Sequence, residues 1–253
     1  MWQFGISTAM TQLPFEQFPA LSAIGICRHA FTQRISGVDA SHDKAEVLKR
    51  LEAAHREIRN AIGMGDWPLF TAKQIHGNKI AVIDEVGSAL RADRGRSEPD
   101  WHYGAASLPG CEFPGCDGLI TKRRGIVLGV YVADCCAVYI VDPKTPAVGL
   151  VHSGRKGTEL GVVANAIKQM VDRFGSDPAN MIVQLSPCIR PPHYEVDFAS
   201  EIVSQCRALG VKEIHDLHVC TACDLNRYYS YRAEKGKTGR MLALLGLNPT
   251  SAN

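Results

Sequence analysis

Three residues in the middle of the chain have side chains and positions that suit a metal site. His76 lies in a short polar turn between two apolar runs, and Cys135 and His152 each lie at the end of a run of strand length. Two imidazoles and a thiolate are common zinc ligands, and a catalytic zinc ion uses three protein ligands and keeps one position open. The pattern therefore predicts a bound Zn²⁺ held by His76, Cys135 and His152.

Taken singly, none of these residues is diagnostic. A lone histidine after a strand is more often an ordinary surface or core residue, and a lone buried cysteine usually behaves as a small apolar side chain. The spacing also differs from the close Cys-x-x-Cys pattern of structural zinc sites. Cys220 and Cys223 do have that close spacing, but no second pair accompanies them, so a second metal there is only weakly indicated.

The elements around these residues predict how they meet. The apolar runs 137–141 and 147–151 are joined by a tight turn, and consecutive strands usually lie side by side, which would bring Cys135 and His152 to one sheet edge. Further strands are predicted over residues 24–31, 69–72, 80–83, 118–121, 126–131 and 181–185. Helical spacing predicts helices over 44–62, 158–174 and 198–209, and the tail 228–245 predicts a basic turn and then a short helix that ends at Gly246.

Strands and helices mix without strict alternation, which predicts an α+β fold. We expect a single layered domain over residues 1–253, in which mixed β-sheets are flanked by helices. Residues 87–115 are charged, rich in glycine and proline, and without clear periodicity. This segment predicts a surface insertion within the domain.

The composition excludes several classes of protein. The formal net charge is only +2, from 28 basic and 26 acidic residues, so nucleic acid and membranes are not expected partners and any anion site must be local. No apolar run is long enough for a transmembrane helix, and no signal peptide is visible at the start. Nine cysteines is an odd number in a chain that needs no disulfide staples, which predicts a cytoplasmic protein. Oligomeric state is not indicated.

Six motifs occur in an order that resembles a known family. They are QIHG at 74–77, CDGLIT at 116–121, ADC at 133–135, HSGRKGT at 152–158, YEV at 194–196, and YSYR at 229–232 with TGR at 238–240. Together they resemble the laccase-domain family, formerly called multicopper polyphenol oxidoreductases and now regarded as purine nucleoside phosphorylases with adenosine deaminase activity. The resemblance implies that His76, Cys135 and His152 bind zinc, the same three residues that the local pattern indicates.

The resemblance also implies the substrates, which are adenosine, inosine and methylthioadenosine together with phosphate. Zinc lowers the pKa of water toward neutrality, which suits deamination of a purine, and a carboxylate would carry the proton. The candidate carboxylates are Asp117, Asp134 and Glu195. Phosphorolysis needs an anion site, and the candidate residues for it are Arg34, Lys156, Arg232 and Arg240.

The segment after His152 departs from the family pattern. Relatives usually have HAGWRG there, whereas this chain has HSGRKG from 152 to 157. Arg155 thus replaces an aromatic residue, and Lys156 replaces an arginine. A lysine cannot copy a bidentate phosphate contact, so we expect an altered preference for phosphate or substrate.

Three alternatives stay open at this level. Cys135 could be the nucleophile of a hydrolase, with His152 as its base, and the family resemblance suggests cell-wall precursors as the substrates of such an enzyme. The chain could also be a non-catalytic zinc-binding module, in which His193 or Asp117 supplies a fourth ligand. A copper oxidase is the weakest alternative, because one His/His/Cys set falls short of a multicopper cluster.

Overall fold

Two mixed β-sheets form the framework of the computed structural model, which describes residues 13–84, 102–104 and 111–250. In chain order the strands are β1 (Phe15–Glu16), β2 (Cys27–Thr32), β3 (Leu69–Lys73), β4 (Ile80–Asp84), β5 (His102–Gly104), β6 (Cys111–Pro114), β7 (Gly118–Thr121), β8 (Val127–Val132), β9 (Cys136–Asp142), β10 (Ala147–Ser153), β11 (Ile182–Leu185), β12 (Glu213–Asp216) and β13 (Met241–Leu247). The helices are α1 (Pro19–Ile24), α2 (Lys44–Ala61), α3 (Arg155–Glu159), α4 (Val162–Phe174) and α5 (Phe198–Ala208).

Each sheet combines antiparallel and parallel pairs. The first sheet has the order β1-β2-β13-β8-β3-β6, and its last two pairs are parallel. The second sheet has the order β12-β11-β9-β10-β7-β4-β5, with parallel pairs at both ends. The predicted α+β class with mixed sheets is therefore confirmed.

The core is built in layers. Side chains from both sheets meet in one apolar cluster, in which Phe31 and Leu128 of the first sheet pack with Tyr139 of the second. Helices α4 and α5 cover the other face of the second sheet. Helix α2 packs through Ile58 on the outer face of the first sheet, and Asp43 caps its start by accepting hydrogen bonds from two backbone N–H groups.

The C-terminal helix prediction is wrong. Met241–Leu247 forms β13, a fully buried strand that pairs with β2 and β8 in the middle of the first sheet. The run is apolar at nearly every position, so it lacks the polar face that distinguishes an amphipathic helix from a buried strand. Gly246 does not end a helix; an added Cβ there would lie 2.3 Å from the carbonyl oxygen of Ile126.

The boundaries of one predicted helix and of one predicted strand also differ from the sequence prediction. The helix predicted over 158–174 is divided, because Gly161 adopts a left-handed backbone with φ of 70° between α3 and α4. The chain before β2 forms the short helix α1, so the first predicted strand begins three residues later, at Cys27. Within the predicted insertion 87–115, β5 and β6 are edge strands, and residues 87–101 and 105–110 lie outside the described residues.

No helix among the described residues has the length and apolar character needed to cross a membrane.

Candidate metal centre

The fold brings His76, Cys135 and His152 to one place. His76 lies in the turn after β3, Cys135 in the turn between β8 and β9, and His152 near the end of β10. One ligand atom from each residue lies within 4.8 Å of the other two, and no other described residues form such a group of three or more potential ligands. The His76 side chain is exposed and that of His152 is buried, so the group spans the surface and the interior.

Asp117 stabilises the positions of His76 and His152 through hydrogen bonds. Its carboxylate accepts hydrogen bonds from the backbone N–H of His76 at 2.8 Å and from that of Gly77 at 2.7 Å. The same carboxylate lies 2.9 Å from Nδ1 of His152, which leaves Nε2 of that ring for a metal. Burial alone would raise the pKa of Asp117, but hydrogen bonds from His152 and Gly77 hold it below its usual range. Asp117 is therefore placed to orient both histidines.

The local sequence explains why His76 can turn toward the other ligands. Its backbone is left-handed, with φ of 59°, a conformation that few residues other than glycine adopt. The three hydrogen bonds from residues 75–77 to Asp117 stabilise the turn. Parallel pairing of β4 with β7 brings Asp117, which directly precedes β7, next to this turn.

Cys135 and His152 form a charged pair when no metal is bound. Burial alone would raise the pKa of the Cys135 thiol, but the charge of His152 and hydrogen bonds from both histidines lower it to about 6. Burial would likewise lower the pKa of His152, yet Cys135 and Asp117 raise it. Near neutral pH the pair is thus a thiolate and an imidazolium, and a metal cation would replace the imidazolium proton.

The three donors fit one metal ion of borderline softness. Two nitrogens and one sulfur around tetrahedral zinc lie about 3.4–3.6 Å apart, and the observed limit of 4.8 Å requires only small side-chain adjustments. The described residues offer three ligands at this point, and the oxygens of Asp117 are already engaged. A metal ion held by these three residues would keep one coordination position free of protein ligands, as in catalytic sites. A multicopper cluster needs more ligands than this set supplies.

Gly154 provides the space beside the sulfur. A Cβ added at this residue would lie 2.5 Å from Sγ of Cys135 and 3.8 Å from Cδ2 of His76. We expect Gly154→Ala to lower zinc affinity by at least about tenfold, because ligand displacement of this kind weakens metal binding. Competition with a chromogenic zinc chelator measures the effect.

Gly149→Ala is the matched control for that substitution. Gly149 lies in β10, the strand that Gly154 directly follows, and its added Cβ would crowd Ile120 Cγ2 at 3.1 Å, five residues before Gly154. This control should reduce stability without changing zinc affinity. Equal zinc affinity in the Gly154 variant and the unsubstituted protein would refute the steric argument.

An open cavity of about 710 Å³ lies over the three candidate ligands and is lined by them. Its volume lies within the range of about 300–1,000 Å³ that is typical of small-molecule sites. Among the described residues, its lining has one carboxylate, Asp134, and five basic side chains: Lys44, Arg155, Arg232, Lys235 and Arg240. Aromatic rings are contributed by Tyr131, Tyr194, Phe198 and Tyr231. The cavity thus offers positive charge and flat apolar surface beside the candidate metal centre.

The two other predicted carboxylates have different environments. Asp134 accepts a hydrogen bond from Thr221 Oγ1 at 2.8 Å and from the backbone N–H of Arg232 at 2.7 Å, so it ties two loops to the turn that carries Cys135. Glu195 is exposed and pairs with Arg232 at 2.9 Å. Its other oxygen lies 3.7 Å from Arg155. The carboxylate of Asp134 is thus occupied by hydrogen bonds that connect loops, whereas the carboxylate of Glu195 lies beside two basic side chains of the cavity.

Of the four residues predicted to bind phosphate, two line the cavity and two do not. Arg232 and Arg240 line the cavity. Arg34 does not line it; its guanidinium pairs with Glu234 at 2.7 Å and lies over the ring of Tyr229. Lys156 is exposed in α3 and also lies outside the lining. The structure brings only two of the four to the candidate metal centre.

Sequence reasoning did not select several residues of the cavity. Lys44 begins α2, and no motif near it indicates that its side chain reaches the cavity. Arg155 was recognised as a departure from the family but not as a lining residue. Tyr194 and Tyr231 belong to the motifs at 194–196 and 229–232, so their position in those motifs was a usable signal.

Comparison with known proteins gives consistent matches. The chain matches the family model described as multi-copper polyphenol oxidoreductase laccase over residues 25–205 and 196–248. It is 27% identical over 229 residues to "Purine nucleoside phosphorylase YlmD" of Geobacillus stearothermophilus, which covers 75% of this chain and 78% of that protein. It is 28% identical over 262 residues to "Purine nucleoside phosphorylase ORF3" of Streptomyces griseus, with 88% and 96% covered.

Solved structures share this fold. The crystal structure of YlmD from Geobacillus stearothermophilus has a TM-score of 0.70 at 22% identity and covers 93% of this chain and 99% of that one. A hypothetical protein, YfiH, from Bacillus licheniformis has a TM-score of 0.68 at 21% identity, with 88% and 93% covered.

Proposed function

We propose that this chain, which belongs to the multi-copper polyphenol oxidoreductase laccase family, is a zinc-dependent purine nucleoside phosphorylase. The resemblance indicated by the six motifs is confirmed by the family match. The reaction is a proposal that the relatives' names support, since both are called purine nucleoside phosphorylases. Adenosine, inosine and methylthioadenosine are the proposed substrates.

One observation carries the proposal. The His76, Cys135 and His152 group shares a single cavity with five basic side chains. A phosphorolytic enzyme must hold an anion beside a neutral nucleoside, and a cavity with excess positive charge and apolar rings suits both. A hydrolase that acts on a neutral nucleoside would have no evident use for such a charge excess.

We assign the residues as follows. Arg232 and Arg240 bind phosphate, for which the planar guanidinium is suited. The rings of Tyr194 and Tyr231 provide surfaces for the purine. A bound zinc ion would be held by His76, Cys135 and His152 and would supply Lewis-acid polarisation. Asp117 keeps the two histidines in position, so we treat it as a positioning residue.

Adenosine deaminase activity is a second part of the proposal. It needs a carboxylate that can exchange a proton with the substrate. Asp117 and Asp134 are engaged by buried hydrogen bonds, whereas Glu195 is exposed beside Arg155 and Arg232. We therefore propose Glu195 as the proton carrier and assign structural roles to the two aspartates.

The direct test is a product assay. The purified protein is incubated with adenosine, inosine or methylthioadenosine, with and without phosphate. Free base and a pentose phosphate should appear only with phosphate, and inosine should form from adenosine without it. Zinc-loaded protein that turns over none of these nucleosides would exclude the proposal.

Arg240 provides a test of the phosphate assignment. We expect Arg240→Gln to raise the KM for phosphate about tenfold or more, equivalent to about 1.4 kcal/mol, because the substitution removes a cation from the anion site. The KM for inosine should change much less. Steady-state kinetics at varied phosphate measures this, with Lys168→Ala, an exposed cation on α4, as control. An unchanged phosphate KM would remove Arg240 from the site.

A second candidate function is favoured by the charge state of Cys135. A thiolate beside an imidazolium is the resting state of a cysteine nucleophile, so a hydrolase that uses Cys135 and acts on cell-wall precursors is the alternative. The described residues supply three ligands beside an open cavity, which gives less support to a closed, non-catalytic zinc module.

The pH dependence of alkylation measures the state of Cys135. Because the thiol pKa is lowered to about 6, the thiolate is present above pH 6 and is lost as the pH falls through 6. Iodoacetamide should therefore modify Cys135 in metal-free protein at a rate that is half-maximal near pH 6, well below the value of about 8.5 for a free cysteine. Zinc should block the reaction. Hydrolase activity in metal-free protein that disappears on alkylation would favour the second function.

A further inference from the structure

Cys220 directly precedes a single turn of 3-10 helix, Thr221–Cys223, and Cys223 ends it; neither cysteine lines the cavity. Cys223 is exposed and Cys220 is partly buried. These two cysteines and six others in the part of the chain that the structure describes are free thiols, and Cys220 and Cys223 form the only Cys-x-x-Cys pair in the sequence. A dithiol of this spacing is a recurring redox unit.

The backbone of the turn already suits a disulfide. The N–H of Cys223 donates to the carbonyl oxygen of Cys220 at 3.2 Å. A turn closed by such a bond keeps its first and fourth Cα atoms within about 7 Å, and a disulfide needs about 4.4–6.8 Å. The two thiols are close enough to share a hydrogen bond, which raises the pKa of Cys223. Closure of the bond therefore needs little movement of the chain.

The turn is connected to the candidate metal centre by one residue. Thr221, between the cysteines, donates its hydroxyl to Asp134 at 2.8 Å. Asp134 directly precedes Cys135, and its second oxygen accepts the backbone N–H of Arg232 at 2.7 Å. A displacement of Thr221 would therefore reach both a candidate metal ligand and a cation of the cavity.

We propose that Cys220 and Cys223 form a reversible dithiol–disulfide pair that adjusts the candidate metal centre through Thr221 and Asp134. The oxidant is a low-molecular-weight disulfide. One cysteine thiolate attacks it and releases one small thiol, and the other cysteine then displaces the second small thiol as the S–S bond forms. Two protein thiols are thereby oxidised, and one small disulfide is reduced to two thiols. The link to the metal rests on the proposed zinc site, whereas disulfide formation does not.

Disulfide formation is tested in glutathione buffers of increasing oxidised fraction. The protein is loaded with zinc beforehand to shield Cys135, then alkylated and mapped by peptide mass. We expect two fewer alkylated thiols, a peptide that contains the 220–223 bond, and full reversal by dithiothreitol. The Cys223→Ser variant should not form this bond. If the number of alkylated thiols does not change, or if the disulfide joins other cysteines, the proposed Cys220–Cys223 pair is wrong.

The link is tested by zinc affinity in chelator competition. Oxidation should change the affinity of the unsubstituted protein by about twofold to thirtyfold, the range of coupling through a contact network. Thr221→Val lacks the hydrogen bond to Asp134, so its zinc affinity should not respond to oxidation. An affinity that is the same in both redox states would refute the link. Protein that binds no zinc in either state contradicts the proposed function, while the disulfide map still decides the pair.

Discussion

Replacing Asp117 with asparagine is expected to lower zinc affinity by about 10- to 100-fold, the usual cost of losing an outer carboxylate. The carboxylate binds Nδ1 of His152 and the backbone N–H groups of His76 and Gly77. Asparagine keeps the shape, but its amide can present only one oxygen to these donors. The ring of His152 and the turn that carries His76 would therefore both lose hydrogen bonds that hold them in position. Phosphorolysis should fall in parallel.

Zinc competition and calorimetric unfolding of the Asp117 variant separate its two effects. The control is Asp142→Asn, because Asp142 is also a fully buried carboxylate that accepts backbone hydrogen bonds in a turn, at the opposite end of β9 from Cys135. We expect a loss of stability in Asp117→Asn and little change in Asp142→Asn, since a single oxygen of Asp142 accepts both of its backbone hydrogen bonds. Zinc affinity should fall only in Asp117→Asn. Zinc affinity that survives the Asp117 substitution would show that the histidines need no such support.

Replacing Cys135 with alanine should abolish stable zinc binding and reduce phosphorolysis by at least about 10³-fold, because the metal contribution is worth several kcal/mol and each 1.4 kcal/mol is tenfold. The sulfur is the only charged donor of the three, so its loss removes both a ligand and the attraction for a cation. Metal analysis after dialysis and a base-release assay measure the two effects.

Cys136→Ala is the neighbouring control. Cys136 is fully buried and packs with the apolar cluster under α4 and α5, on the other side of the sheet. Its replacement should cost at most a modest loss of stability and leave zinc bound. Equal metal content in the two variants would contradict the assignment of Cys135. Chelation of the unsubstituted protein distinguishes a metal role from a nucleophile, since only the first predicts inactive metal-free protein.

The sequence was sufficient to predict the fold class and most elements, for identifiable reasons. Helix α2 has a regular apolar face and an acidic cap at Asp43, and both signals are local. The strand β13 was wrongly predicted as a helix because its pairing with β2 and β8 joins residues more than a hundred positions apart. Locally, a short run that is apolar at nearly every position fits either a buried strand or a buried helix, and only the distant pairing decides between them.

In the candidate site, too, some features follow from local sequence and others depend on distant contacts. The three candidate metal ligands follow from residue type and strand ends, and the structure brings them together. The role of Asp117 depends on parallel pairing of β4 with β7, and that of Lys44 on how α2 packs beside the cavity. The guanidinium of Arg34 could bind phosphate, but it instead pairs with Glu234 and packs over the ring of Tyr229. Tertiary contacts decide these three cases.

The central claim is that zinc held by His76, Cys135 and His152 enables phosphorolysis of purine nucleosides. Its most direct test is titration of metal-free protein with zinc while base release from inosine is measured with phosphate present. Activity should rise linearly and level off at one zinc per chain, with no base released when phosphate is omitted. Full activity in the metal-free protein, or none at one equivalent of zinc, would contradict the claim.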